Sequence, residues 1–154
     1  MSIQLTVNGE PVSVTVAGDV PLLDVLRNHL DLKGSRYGCG LEQCGSCMVL
    51  IDGKAEYSCA REIATVAGKH VETIESLGAN PLRQAFLDEQ AGQCGYCLSG
   101  ILISAKALLD ANKNPSRADI VAALDGHLCR CGAHPRILRA VEKAAAALRE
   151  GVPA

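Results

Sequence analysis

The chain has 154 residues, of which 48% are hydrophobic and 21% are charged, and its formal net charge is −2. This composition predicts a folded protein of one ordinary domain or two small ones, and it excludes a disordered chain. Because the lysines and arginines are scattered, we expect no binding to nucleic acid and no attraction to an anionic membrane surface.

Residues 1–76 are predicted to form a strand-rich domain with one helix. The segments IQLTV and VSVTV alternate apolar and polar residues on either side of an Asn-Gly pair, which is typical of a hairpin. Leucines recur at helical spacing in PLLDVLRNHL, which predicts a helix that packs on the sheet and ends at Gly34. A second hairpin is predicted around an Asp-Gly pair, and HVETI supplies a fifth strand near residues 70–74.

Residues 77–154 are predicted to be helical. Four segments carry apolar residues at helical spacing: LRQAFLDEQ, YCLSGILISAKALLDAN, RADIVAALDGH and RILRAVEKAAAALRE. Ser116 stands three residues before Asp119, as in a capping box, and the Asn-Pro pair in ESLGANP resembles a capped first turn. We expect the domain boundary in ESLGANP, and the predicted fold class is α+β.

The first four cysteines follow the spacing C-x4-C-x2-C, with one more after the second predicted hairpin. They are Cys39, Cys44, Cys47 and Cys59, called here the first quartet. Plant-type ferredoxins present their 2Fe-2S ligands in this order. Gly38, Gly40 and Gly45 lie on the same loop, and we expect them to adopt backbone conformations closed to larger residues, so that N–H groups point at the sulfurs.

The remaining cysteines form two close pairs, each at a predicted helix end. They are Cys94, Cys97, Cys129 and Cys131, called here the second quartet. Four helices can bring the two loops together, and two thiol pairs can then enclose two irons. Tetrahedral zinc remains an alternative for either quartet, because C-x2-C pairs are common in structural zinc sites.

A disulfide framework is a further alternative for the eight cysteines. It is disfavoured because the start of the chain lacks the pattern of a secretion signal, and reducing compartments keep thiols free. No stretch approaches the ~18 apolar residues of a membrane span. We therefore expect a cytoplasmic chain without direct membrane insertion, although a partner could carry the complex to the periplasm or a membrane.

Two histidines, His127 and His134, flank the CRC sequence of the second quartet. Rieske centres use two histidines in place of two cysteines on one iron. Eight cysteines already satisfy two clusters, so we expect these histidines to serve as caps or as hydrogen-bonding groups of the loop instead.

Both quartets together resemble the iron–sulfur subunit of the xanthine oxidase family of molybdenum hydroxylases, over essentially the whole chain. The matching text is GCGLEQCGSC, Cys59, GQCGYC and GHLCRCG. The resemblance implies a β-grasp ferredoxin-like domain over residues 1–76 and a four-helix domain over residues 77–154, each with one 2Fe-2S cluster. The short interval between Cys47 and Cys59 differs from plant ferredoxins and is a better fit to the small chain of the hydroxylases.

The resemblance also implies partners and roles. In this family a separate large chain carries the molybdenum pterin, in bacterial members often as molybdopterin cytosine dinucleotide, and it hydroxylates aldehydes or N-heteroaromatic rings. This chain would then have no catalytic residue of its own, and it would pass electrons to an FAD subunit or a cytochrome. By resemblance, the cluster of Cys94 lies nearest the pterin, Gln93 and Cys131 contact that pterin, and the cluster of Cys39 lies further out.

Two other functions remain open at this point. One is a stand-alone ferredoxin that docks transiently with several reductases, although the acidic docking face of such carriers is missing from this sequence. The other is a zinc-stabilised interaction module. Within YCLSGILISAKALLDAN the apolar residues cover more than one helical face, which is explained by core packing or by burial against a large partner.

Overall fold

The structure is a computed structural model that describes residues 2–151. Met1 and residues 152–154, which are the outermost residues of the two expected domains, lie outside the described residues. Strands fill the first half of the chain and helices the second, so the predicted α+β class is confirmed.

Five strands form a single mixed sheet in the first half. They are β1 (Ser2–Val7), β2 (Glu10–Thr15), β3 (Met48–Ile51), β4 (Lys54–Tyr57) and β5 (His70–Glu72). Their order in the sheet is β2-β1-β5-β3-β4, with β1 parallel to β5 and the other neighbours antiparallel. Both predicted hairpins and the fifth strand are confirmed.

The helix predicted over PLLDVLRNHL differs from an ordinary α-helix. It begins as α1 (Leu22–Asp24) and continues as a wider π-helical turn (Val25–His29), in which the N–H of Leu30 donates to Val25 O at 3.0 Å. Leu22, Val25 and Leu26 are fully buried, whereas Leu30, at the end of the wider turn, is only half-buried. The expectation of one regular helix reaching Gly34 was therefore wrong.

Four helices form the second half, as predicted. They are α2 (Pro81–Asp88), α3 (Leu98–Ala111), α4 (Arg117–Leu124) and α5 (His134–Glu150). The Asn80 side chain caps α2 by accepting from Leu82 N, and Ser116 and Asp119 form the predicted capping box of α4. No helix among the described residues is both long and apolar enough to cross a bilayer.

The sheet is covered on both faces, which explains the uninterrupted apolar run MVLI in β3. The helix Leu22–Asp24 and the turn after it pack on one face, beside Val49 and Ile51. Ile103 of α3 packs on the other face, beside Met48 and Leu50. Since both faces are buried, every residue of β3 is buried.

Helix α3 therefore belongs to two cores. Ile101 and Leu109 pack with α2, α4 and α5, whereas Ile103 packs on the sheet. This accounts for most of the apolar surface on more than one face of α3. Leu98 and Leu102 remain half-buried near its start, close to the second quartet.

Candidate metal centres

The first quartet lies on two connections of the sheet. Cys39, Cys44 and Cys47 precede β3, and Cys59 follows β4, so the β3–β4 hairpin brings the two segments side by side. The thiol of Cys39 hydrogen-bonds with that of Cys44, and the thiol of Cys47 with that of Cys59. The four thiols thus meet as two pairs.

Backbone N–H groups point at Cys39 and Cys44, called here the outer pair because both cysteines are only half-buried. Leu41 N and Gln43 N each donate to Cys39 Sγ at 3.3 Å, and Cys39 N donates to Cys44 Sγ at 3.4 Å. The bonds from Leu41 and Gln43 are the main cause that lowers the pKa of Cys39 to about 7. These donors stabilise a thiolate at this position, as we expected from the glycine-rich loop.

The other two cysteines of the quartet, Cys47 and Cys59, are buried and are called here the inner pair. Cys47 is 1% exposed, and burial raises the pKa of its thiol to about 11. Such a thiol becomes a thiolate when a metal cation replaces its proton, because metal ligation requires the deprotonated form. The pair is therefore suited to ligation rather than to free thiolate chemistry.

Two of the three loop glycines have the expected backbone conformation. Gly40 and Gly45 have φ of +71° and +78°, in the left-handed region that favours glycine. Gly38 is required for a different reason, because a Cβ there would lie 2.6 Å from Cys44 Sγ. The loop does need a glycine at position 38, but the cause is space and not φ.

The second quartet lies on two loops of the helical half. Cys97 immediately precedes α3, and Cys129 and Cys131 lie between α4 and α5. The thiol of Cys94 hydrogen-bonds with that of Cys131, and the thiol of Cys97 with that of Cys129. Each pair therefore joins one cysteine from each loop.

The thiols of the second quartet, like those of the first, differ in whether their surroundings raise or lower the pKa. Hydrogen bonds from Tyr96 N–H and from the thiol of Cys131 lower the pKa of Cys94, which is exposed. Burial raises the pKa of Cys97 to about 12. Burial also acts to raise the pKa of Cys129, but bonds from Ala133 N–H and the thiol of Cys97 outweigh it and lower the pKa.

The donor chemistry of both quartets fits 2Fe-2S clusters. Each quartet offers two pairs of thiols, which matches four cysteine ligands shared between two irons, and N–H groups surround the sulfurs of both. Among residues 2–151, no three His, Cys, Asp or Glu side chains converge closely enough to hold one metal ion.

Two aromatic residues and one arginine join the loops of the quartets, and no sequence signal pointed to them beyond their proximity to cysteines. Arg36 Nη1 donates to Gly95 O at 2.8 Å, and its guanidinium lies 5.1 Å from the centre of the Tyr96 ring. Tyr96 Oη donates to Tyr37 O at 2.5 Å. Burial, and then the charge of Cys47, raise the pKa of Tyr57, whose side chain packs against the buried cysteines of the first quartet.

The two flanking histidines act as hydrogen-bonding groups of the loop, as expected. His127 is 4% exposed, and its Nε2 shares a hydrogen bond of 2.7 Å with Ser104 Oγ. Burial, followed by the charge of His134, lowers the pKa of His127 to about 4, so the imidazole is neutral. His134 Nε2 lies 3.3 Å from His127 O.

Gln93 is exposed at the edge of a groove of about 520 Å³ beside the second quartet. Leu98 and Leu102 from α3 line this groove, together with Leu87, which is 61% exposed. Arg136 of α5 lies on its rim. The structure therefore leaves Gln93 open to a partner, beside a groove that combines leucines with the polar side chains of Arg83, Gln90 and Arg136.

Two family models match the chain in sequence. A 2Fe-2S iron-sulfur cluster binding domain matches residues 5–74, and a second 2Fe-2S binding domain matches residues 73–142. These matches favour iron–sulfur clusters over the zinc alternative for both quartets.

Individual proteins match over nearly the whole chain. A nicotinate dehydrogenase subunit of Pseudomonas putida is 51% identical over 97% of this chain and 98% of its own length. The alpha subunit of isoquinoline 1-oxidoreductase from Brevundimonas diminuta is 50% identical over 93% of this chain and 97% of its own length. Among solved structures, a chain of quinoline 2-oxidoreductase from Pseudomonas putida has a TM-score of 0.92 at 36% identity, covering 98% of this chain and 97% of that one.

Proposed function

Since the chain belongs to the iron–sulfur small subunits of the xanthine oxidase family of molybdenum hydroxylases, we propose that it carries electrons through two 2Fe-2S clusters within one such complex. Electrons leave the molybdenum pterin of a large partner subunit, reach the second quartet, and then reach the first. From there they pass to an external acceptor, either an FAD subunit or a cytochrome. The chain itself contributes no catalytic residue.

The observation that carries this proposal is a direct link between the two quartets. Leu128 N donates to Cys44 O at 3.1 Å, and Leu128 is the residue before Cys129. One hydrogen bond and two adjacent residues therefore connect a ligand of one proposed cluster to a ligand of the other. A chain that held two independent structural metals would have no need of so short a connection.

The thiol pairs indicate which cysteines would share an iron. Within the first quartet, Cys39 and Cys44 would bind one iron, and Cys47 and Cys59 the other. The second quartet divides in the same way, so that the four ligands are Cys94 with Cys131 and Cys97 with Cys129. A bound 2Fe-2S cluster supplies one-electron redox chemistry, at a potential that N–H donors to the sulfurs adjust.

The surface near the second quartet supports a large partner on that side. The groove beside Gln93 combines exposed Leu87 with half-buried Leu98 and Leu102, and apolar surface of this kind marks protein interfaces. Gln93 would contact the pterin through its amide, and Cys131 would be the nearest thiolate. The pterin is proposed to be molybdopterin cytosine dinucleotide.

The surface near the first quartet supports electron exit to an acceptor. Tyr37 and Leu41, on the loop of that quartet, are 60% and 69% exposed. A cleft of about 530 Å³ between Leu23, Tyr37 and Cys59 reaches the thiol pair from the same side. An acceptor that docks here approaches the first quartet without crossing the second.

The names of the relatives suggest the substrate class of the assembled enzyme. Nicotinate and isoquinoline are both N-heteroaromatic rings. We therefore propose an N-heteroaromatic substrate, bound on the large subunit, with an aldehyde as the second candidate. We propose a cytoplasmic location for this chain, because a reducing compartment keeps cluster-ligating thiols free, and a partner could still carry the complex to the periplasm or a membrane.

The proposal is tested on the complex purified from its native host. Metal analysis should find roughly four irons per copy of this chain, together with molybdenum and a large subunit. Low-temperature electron paramagnetic resonance of the reduced complex should show two distinct signals. Stoichiometric zinc, or half the iron with a single signal, contradicts the two-cluster assignment, and the chain purifying alone favours a stand-alone carrier.

A further inference from the structure

A buried histidine lies between the loops that carry the two quartets. His127 is two residues before Cys129, and its imidazole is packed against Gly45, which is adjacent to Cys44. Its Nε2 bonds Ser104 of α3 at 2.7 Å, while its Nδ1 is buried without a hydrogen-bond partner among the described residues. The ring therefore touches the loop of the first quartet, the loop of the second, and α3.

The contact leaves no room for an additional carbon on either side. A Cβ on Gly45 would collide with His127 Nδ1, and a Cβ on Gly100 would collide with Gly45 O and lie 3.3 Å from His127 Cε1. Gly100 has an ordinary helical backbone, so its lack of a side chain serves the close approach of the loop to α3. Three elements thus meet around one imidazole at van der Waals distance.

A buried imidazole with one unpaired nitrogen is costly, since an unsatisfied buried polar group destabilises the fold. An apolar side chain of similar volume would fill the same space without that cost. The imidazole makes a directional interaction that an apolar side chain cannot make, because its hydrogen bond to Ser104 orients the ring against Gly45. His134 fixes the same segment from outside, through its Nε2 contact with His127 O at 3.3 Å.

We propose that His127 is a positioning residue that sets the distance and contact between the two clusters by holding Gly45 against α3. This inference rests on the proposed function, because it assumes that both quartets hold clusters. It concerns the hydrogen bond from Leu128 to Cys44, since Leu128 follows His127 and Cys44 precedes Gly45. If the imidazole moves, both ends of that bond move with it.

The test measures the magnetic interaction between the two reduced clusters in the purified complex. The dipolar splitting of the two resonance signals falls with the cube of their separation, so it reports distance and not activity. Three variants perturb the contact without touching a cysteine: His127→Ala, Ser104→Ala and Gly100→Ala. His70→Ala, on an exposed position of β5, is the matched control.

We expect full iron in all four variants. The splitting should be reduced in His127→Ala and Gly100→Ala, reduced less in Ser104→Ala and unchanged in His70→Ala. Electron passage between the clusters after rapid mixing with substrate should slow in the same order. Should His127→Ala fail to fold, Ser104→Ala decides the question, because it keeps the imidazole and removes only the hydrogen bond that orients it.

Parent splitting in iron-complete His127→Ala, or in Ser104→Ala where His127→Ala does not fold, would overturn the positioning role. Two clusters in the parent without any resolved splitting would overturn it as well, because the contact would then hold them too far apart. A parent with a single cluster contradicts the proposed function itself, so the two failures are distinguishable.

Discussion

The guanidinium of Arg36 donates to the carbonyl of Gly95 at 2.8 Å and lies over the ring of Tyr96. Arg36 precedes the first quartet and Gly95 lies within the second, so this contact joins the two loops directly. Its partners are 59 residues apart in the chain. A charged hydrogen bond and a cation–π contact thus reinforce the packing of α3 on the sheet.

Replacement of Arg36 by Ala should lower the free energy of unfolding by about 1 to 3 kcal/mol, since a hydrogen bond to a charged donor is lost. The free energy of unfolding of Arg36→Lys should lie between those of the parent and Arg36→Ala, because a lysine keeps the charge but not the planar guanidinium. Anaerobic denaturant titration of the cluster-loaded protein, followed by circular dichroism, measures both. Arg149→Ala, which loses one exposed bond of 3.4 Å, is the control and should change little. Equal stability of Arg36→Ala and the control would contradict the inferred strength of the contact.

Gly38→Ala should selectively remove the cluster of the first quartet. The added carbon would lie 2.6 Å from Cys44 Sγ and would displace that thiol. Iron analysis should fall to about half of the parent value, with one resonance signal retained. Gly53→Ala strains a positive φ in a hairpin with open space around it, so it should keep all the iron. Full iron in Gly38→Ala would show that the loop can move aside.

Cys44→Ser should disable transfer to the external acceptor more than it disables reduction of the second quartet by substrate. The reason is the proposed order of centres, in which the first quartet lies outermost. Rapid-mixing spectroscopy of the variant complex follows the two steps separately. If an assembled complex fails to reduce the cluster of Cys94, the order of centres is reversed.

Gln93→Ala should leave both clusters and the fold intact but weaken retention of the pterin. The exposed amide offers both donor and acceptor to a pterin edge, and a lost buried hydrogen bond costs roughly 1 to 3 kcal/mol. Gln93→Glu should retain less pterin than Gln93→Ala, because it buries a charge beside anionic cofactors. Molybdenum content and substrate-driven cluster reduction are the measurements, with Gln84→Ala on α2 as the control. Parent values in both Gln93 variants would mean that this side chain contacts no cofactor.

Alkaline pH should weaken the attachment of α3 to the sheet. Lys106 Nζ lies 2.7 Å from Asp110 and 3.4 Å from Glu72 of β5. Burial alone would lower the pKa of Lys106, but the two carboxylates outweigh it and raise the pKa. The stabilisation is therefore present below the unfolded lysine pKa of ~10.4 and is lost as pH rises through the higher folded value.

Lys106→Met should remove this part of the pH dependence. Unfolding midpoints measured between about pH 8 and pH 11 should fall less steeply in the variant than in the parent. Lys113→Met, which removes an exposed contact of 3.9 Å to Asp110, is the matched control and should follow the parent. Parallel curves for Lys106→Met and the parent would show that this ion pair does not contribute.

Local sequence patterns were sufficient to predict most of the elements and the chemistry of the sites. Asn-Gly and Asp-Gly pairs specify hairpins through local φ preferences, and the capping box of Ser116 and Asp119 marks the start of a helix within four residues. The cysteine spacing indicated the cluster-binding segments for the same reason, because C-x4-C-x2-C, C-x2-C and C-x-C each lie within a short stretch of the chain. The helix expected after Pro21 differs in form and in its end, because the chain winds into a π-helical turn over Val25–His29 and leaves the helix before Gly34.

Only the tertiary structure shows how the two halves of the chain pack together. Which thiols pair, why α3 is apolar on two faces, and why Gly100 has no side chain all depend on contacts between residues far apart in the chain. His127 had the sequence neighbourhood of a loop residue, yet it is buried because Ser104 and Gly45 come to it from two other elements. Periodicity and spacing describe neighbours along the chain, whereas these contacts arise from closing the sheet, the helices and both loops around common cores.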